Sequence, residues 1–262
     1  MRSRIGVQLY TLRDHCKDVE SFTKTCAWVS GQGIREVQVS GVGIEDPTQI
    51  RQVLDHHDLT CTVTHRGLDA LRDVDETLEY HRTLGCKYAA VGGFFDKEAG
   101  QDGWKAFADE FSALADTFTA QGLQLGYHNH SHEFAPFSGD PAAINPKETP
   151  MWLLFERCSS NVWFEIDTYW VAHGGADPAD WIDRVRGRIP VVHFKDMTID
   201  SNRVQKICEV GAGNLNWSRI VESCKAAGVE SYMIERDDGD LDPFTSLKIS
   251  IANMEAWGLQ YG

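Results

Sequence analysis

Short apolar runs of β type alternate along the chain with longer stretches in which apolar residues recur every three or four positions. The runs are Ile5–Tyr10, Glu36–Ser40, Thr60–Thr64, Tyr88–Gly92, Gln124–His128, Val162–Asp167, Val191–Phe194 and Tyr232–Glu235. Between them, Val19–Ser30, Gln49–His57, Val74–Leu84, Trp104–Ala120, Ala179–Val185 and Trp217–Ala227 carry the amphipathic period of helices. Gly33, Gly85, Gly122 and Gly228 each close a helical run just ahead of a strand, the place of a C-terminal cap. The alternation predicts βα units. Eight β runs without a Ser/Gly/Pro-rich linker predict a single α/β domain over residues 1–262, a (β/α)8 TIM barrel. The main rival is an open doubly wound sheet. Its dinucleotide-binding form loses ground because no Gly-x-Gly-x-x-Gly follows the first strand.

Composition narrows the partners. A net charge of −14 argues against nucleic acid, which is bound through clustered Lys and Arg. No apolar run approaches the roughly 20 residues of a membrane span. Seven scattered cysteines with no Cys-x-x-Cys fit reduced thiols, and the N-terminal stretch lacks the apolar core of a secretory signal. The expected setting is cytoplasmic, and the expected partner is a small molecule.

The chemistry collects at the strand ends, where a barrel builds its active site. Those ends read Gln8–Tyr10, Gln38, Thr64–His65, Gly92–Gly93, His128–His130, Glu165–Asp167, His193–Lys195 and Glu235. A buried strand has no apolar reason to carry a charge, and Asp or Glu is almost never buried unless paired or bound to a cation. Taken singly, Asp167 reads equally well as a helix cap, and His193 as a hydrogen-bonded core residue. Together with Glu235 at successive strand ends they read as ligands of one divalent ion. Carboxylates with one imidazole suit Mn2+, Mg2+, Co2+ or Zn2+, and an open coordination position would polarise a carbonyl or hydroxyl.

The segment Tyr127-His-Asn-His-Ser-His-Glu-Phe134 supplies the remaining polar groups. On spacing alone the fourth ligand is either His128 or Glu133, and a histidine left free, His128 or His130, is a natural general base. Lys195 either holds a substrate carbonyl or pairs with Asp196 or Glu165. Gln8, Tyr10, His65, Trp170 and His173 are expected to line the substrate. The glycines of Glu209-Val-Gly-Ala-Gly213 lack a phosphate-loop lysine and read as a turn, and Asp237-Asp-Gly-Asp240 is only a fragment of a calcium-loop pattern.

The segments IGVQLYTLRD, LGYHNHSHEF, FEIDTYWVAHGG, VVHFKDM, EVGAGNLNW and MIERDD resemble the xylose isomerase-like TIM-barrel superfamily, in particular its sugar phosphate isomerase/epimerase members with a YHNHxxEF segment. The resemblance runs from the first strand to the eighth. It implies one divalent ion, Mn2+ foremost, held by Glu, Asp, His and Glu from strands five to eight. Asp167, His193 and Glu235 match the last three, and Glu133 is favoured as the first. It further implies a sugar or keto-sugar isomerase or epimerase that removes a proton α to a carbonyl, with Lys195 helping to stabilise the enediolate. Members commonly have Glu where this chain has His128. That departure brings in β-elimination from a keto-sugar or keto-inositol as the alternative reaction, and a non-catalytic sugar-binding subunit as the second alternative. Barrels of this type associate, so a homo-oligomer or a partner subunit is also expected.

Overall fold

The computed structural model describes residues 4–138 and 145–261. Its strands are β1 Arg4–Gln8, β2 Glu36–Val39, β3 Thr60–His65, β4 Tyr88–Val91, β5 Gln124–His128, β6 Trp163–Asp167, β7 Val191–Phe194, β8 Asp196–Ile199, β9 Gln205–Cys208 and β10 Ser231–Ile234. Eight of them close into a parallel barrel in the order β1-β10-β7-β6-β5-β4-β3-β2. The other two, β8 and β9, form a separate antiparallel ribbon. The helices are α1 Val19–Gly31, α2 Pro47–His56, α3 Leu68–Arg72, α4 Val74–Leu84, α5 Gly100–Ala120, α6 Pro150–Arg157, α7 Thr168–His173, α8 Pro178–Arg184, α9 Trp217–Ala227 and α10 Pro243–Ala256. The eight expected strands are therefore the eight barrel strands, with shifts at their ends. The first stops at Gln8 rather than Tyr10 because the Gln8 side chain accepts from Tyr10 N (3.3 Å) and starts a 3-10 stretch, Leu9–His15.

Strand alternation sorts the side chains into two sets. One set, including Phe164, Ile166, Val192 and Ile234, packs outward against the helices in the main core. The other forms a small separate cluster of Val63, Ala90, Trp163, Val191 and Met233. Glycine makes room for its largest member: a β-carbon at Gly126 would lie 2.2 Å from Trp163 Cε2. Further along the same strands come Gln38, His65, His128, Glu165, Asp167 and His193. Register sets them level with one another, His128 beside Glu165 and Asp167 beside His193.

Helix starts follow a repeated recipe. Asp46-Pro47, Asp177-Pro178, Asp242-Pro243 and Thr149-Pro150 each put a side-chain acceptor at the cap and proline in the first turn. Gly85 and Gly228 end α4 and α9 in the left-handed conformation, as their positions in the sequence predict.

A cluster of buried side chains at the strand ends

His128, Asp167, His193 and Glu235 are all buried, and one ligand atom from each lies within 4.8 Å of the others. His128 Nε2 is 3.6 Å from Asp167 Oδ2 and 4.0 Å from Glu235 Oε2. His193 Nδ1 is 2.9 Å from Glu235 Oε2 and 3.9 Å from Asp167 Oδ2.

Local structure aims each of them. Asp167 Oδ1 caps α7 by accepting from Trp170 N (3.0 Å), which leaves Oδ2 turned to the cluster. Both readings weighed for Asp167, cap and site residue, thus describe its two oxygens. Asn129 Oδ1 accepts from Asp167 N (3.1 Å), and the Thr168 hydroxyl accepts from Lys195 N (3.0 Å). His193 Nε2 lies 2.7 Å from Gln38 Oε1 and 3.2 Å from Glu165 Oε1. Those acceptors place a proton on Nε2 and turn Nδ1 towards Asp167 and Glu235, the arrangement that orients metal-ligating histidines.

Among the described residues, Asp167 Oδ2 and both ring nitrogens of His128 are buried without a hydrogen-bond partner. Leaving such atoms unpaired is costly, and a cation between them removes that cost. The donor set, two imidazoles and two carboxylates, suits Mn2+, Co2+ or Zn2+. The residues present therefore fit a divalent ion.

Glu133, favoured from the sequence, is not in this group. Its Oε1 accepts from Tyr127 Oη (2.6 Å) and its Oε2 from His130 N (2.8 Å), with His132 Nε2 3.3 Å away. Glu133 is the middle residue of a 3-10 turn, His132–Phe134, that follows β5, and its carboxylate pins this turn to Tyr127 and His130. His128, on the strand itself, is the residue brought to the other three.

Charge in the cation-free cluster is finely divided. Burial pushes the Asp167 carboxyl up to about 7; Lys195 opposes the rise and Glu235 adds to it. Burial also disfavours charge on Glu235, but Lys195 and His193 outweigh it and hold this carboxyl well below the usual range. His193 is raised well above its ordinary value, since Glu165 and Glu235 overcome its burial. His128 is driven well below by burial, then by His193 and His65. Lys195 is fully buried and lies 3.5 Å from Asp167 Oδ2, 3.4 Å from Glu235 Oε2 and against Asp237. Its partners are therefore not the Asp196 or Glu165 considered from the sequence. Asp196 instead accepts from the backbone of Gly211 and Gly213 and from Trp217 Nε1, which organises the glycine-rich turn.

A cavity of about 190 Å³ opens onto the cluster, lined by Tyr10, Ser40, His65, Gly92, Phe95, His128, His130, Glu235 and Asp237. Tyr10, His65 and His130, three of the residues singled out in the sequence, are in this wall. Trp170 lies behind His130 (ring centroids 5.2 Å apart) with Lys195 Nζ 5.0 Å from its ring. Three expected substrate residues are not in this wall: Trp170, Gln8 and His173. Gln8 is fully buried and spends its oxygen on Tyr10 N, and His173 is exposed at the end of α7, touching Tyr169 and Trp170. Asn129 and Phe95 carry no signal in the sequence; Gln38 and Glu165 stand out there only as strand-end residues, and Asp237 only as part of an incomplete calcium-loop pattern. Glu165 had a usable signal, a carboxylate two residues before Asp167 on the same face of one strand.

The family model described as xylose isomerase-like TIM barrel matches residues 30–254. The chain belongs to that family. No curated protein sequence matches it significantly. Similar solved structures include a sugar phosphate isomerase/epimerase from Parabacteroides distasonis, at 20% identity, TM-score 0.80 and coverage of 97% of this chain and 98% of that one. An L-ribulose 3-epimerase is 18% identical, with TM-score 0.71 and coverage of 98% and 94%. The IOLI protein with a binding zinc atom is 11% identical, with TM-score 0.71 and coverage of 97% of each chain. At these identities the likeness is one of fold. Among the described residues, no helix is long and apolar enough to cross a membrane.

Proposed function

We propose that this chain is a divalent-metal-dependent isomerase or epimerase of a sugar or keto-sugar, working by removal of a proton α to a carbonyl. The observation that carries the proposal is the convergence of His128, Asp167, His193 and Glu235, with Asp167 Oδ2 and both His128 ring nitrogens buried and without a hydrogen bond. These four would hold the ion, which when bound supplies Lewis-acid polarisation of a substrate oxygen. Mn2+ is the ion favoured by the family resemblance, and zinc is the one named with the IOLI structure. Lys195 favours the charged form of Asp167 and Glu235, and its ammonium is committed to Asp167, Glu235 and Asp237. Phe95 and Tyr10 present exposed rings at the cavity, surfaces that suit the apolar faces of a sugar. The neighbouring sugar phosphate isomerase/epimerase and L-ribulose 3-epimerase structures support the same substrate class.

A second reading, elimination from a keto-sugar or keto-inositol, is favoured by one feature. The fifth-strand member of the cluster is the imidazole of His128, so the pair of opposed glutamates that two-base epimerisation uses is incomplete. One experiment separates the readings. Protein stripped with chelator and reloaded with Mn2+ is incubated in D2O with D-fructose, L-ribulose, a keto-inositol and a 3-keto-glucoside, and followed by NMR. Metal-dependent deuterium at an α-carbon supports proton abstraction, and new vinylic signals select the lyase. Absence of exchange with every compound contradicts both and leaves a sugar-binding subunit.

A further inference from the structure

The cavity wall carries a second buried constellation, built on Glu165. His65 Nε2 lies 2.5 Å from Glu165 Oε2, and Gln38 Nε2 donates to the same oxygen at 3.2 Å. The other oxygen, Oε1, is the one beside His193 Nε2. Glu165 has no exposure, and its Oε2 already accepts from Gln38 Nε2, so it meets His65 as an acceptor. The short contact therefore requires the proton on His65 Nε2, which leaves a lone pair on Nδ1. That second nitrogen sits beside Gly92, another residue of the cavity lining, where an added β-carbon would come to 3.4 Å from it. The His65 side chain is 15% exposed while Glu165 is 0% exposed, so one end of the imidazole is wet and the other is fixed. Its ring centroid is 5.0 Å from that of His128 and 5.6 Å from that of His193, adjacent to the four-residue cluster.

A general base needs one nitrogen open to substrate and the other held by an acceptor that welcomes the incoming positive charge. His128 is drawn into the cluster, and His130 Nδ1 is buried without a hydrogen-bond partner, with no carboxylate against the His130 ring among the described residues. Only His65 has the full arrangement among the cavity histidines. We infer that His65 is the catalytic base of the proposed reaction and that Glu165 is its positioning residue, an assignment that rests on the proton-abstraction reading. The Cα–H bond breaks and the proton goes to Nδ1; the C–H electron pair forms the carbon–carbon double bond of an enediolate as the carbonyl π pair moves onto its oxygen. The hydroxyl proton on Cα passes to that oxygen, the oxygen on Cα becomes the new carbonyl, and the same imidazolium delivers its proton to the former carbonyl carbon on the same face. One base on one face fits aldose–ketose isomerisation better than epimerisation.

The test is His65→Gln in the Mn2+-loaded protein, because the glutamine amide can still donate to Glu165 while nothing basic remains at Nδ1. Using the panel ketose that the wild type exchanges fastest, exchange falls roughly 10²–10⁴-fold in kcat with KM nearly unchanged. The Mn2+ content stays that of the wild type. His65→Ala behaves alike and regains exchange when imidazole is added, which a merely structural loss would not do. Exchange by His65→Gln within tenfold of wild type overturns the inference, and so does loss of an equivalent of Mn2+, which would make His65 a ligand. A wild type inert towards the whole panel would instead sink the proton-abstraction reading, and this assignment with it.

Discussion

Folding and metal binding pull in opposite directions at Asp167. The residue is fully buried, and without a cation its carboxyl sits at about 7 instead of 3.8; burial is the largest cause, Lys195 opposes it and Glu235 reinforces it. The folded chain therefore binds an extra proton between those values. Stability from this group is greatest below pH 4 and is lost as the pH rises to about 7. At about 1.4 kcal/mol per pH unit, the interval sets a ceiling near 4 kcal/mol on the cost above pH 7. Asp167→Asn removes the charge, and an amide oxygen can still cap α7 at Trp170 N. The metal-free variant should melt higher than metal-free wild type at pH 8, by up to about 8–16 °C at roughly 2–4 °C per kcal/mol, and the gap should close near pH 4. Added Mn2+ should reverse the order, since binding to the folded state stabilises only a chain that keeps its ligands. Differential scanning calorimetry from pH 4 to pH 8, with chelator and with Mn2+, reads all three effects. A metal-free wild type more stable than the variant at pH 8, together with no gain on adding Mn2+, would refute the reasoning.

Two further expectations concern the scaffold. Asp196 Oδ2 accepts from Gly211 N, Gly213 N and Trp217 Nε1, and Oδ1 from Met197 N and Leu215 N, so Asp196→Asn turns a donor on one of these sets and should cost about 2–4 kcal/mol and several degrees of Tm; an unchanged melting curve would contradict that network. Gly126→Ala drives a methyl to 2.2 Å from Trp163 Cε2 and should lower the urea midpoint by the equivalent of about 1–3 kcal/mol while Mn2+ content stays unchanged.

The barrel was legible because strands buried on both faces write continuous apolar runs, and because Gly85 and Gly228 mark where helices must stop. The boundaries of β5 and β7, Gln124–His128 and Val191–Phe194, were read to the residue. Helix α10 was missed although Asp242-Pro243 announces it, since its apolar residues are spread around the helix instead of forming one stripe. The ribbon of β8 and β9 escaped for a different reason: its residues are mostly half-exposed and carry little alternation. At the site, Asp167 and His193 could be read from strand ends because register sets them side by side, and Glu235 because it directly follows β10. The choice between His128 and Glu133 could not, because it depends on a turn after β5 that sends Glu133 to Tyr127 Oη. Glu165 and His65 meet across the barrel, at a sequence separation of 100, and only closure of the sheet reveals that contact.

The most direct measurement is anomalous diffraction at the manganese edge from crystals of the wild-type chain soaked in MnCl2. The account predicts one strong peak among His128, Asp167, His193 and Glu235, at roughly 2.0–2.3 Å from a nitrogen or oxygen of each. A peak that includes Glu133 and omits His128, or no peak at these four residues, would contradict it.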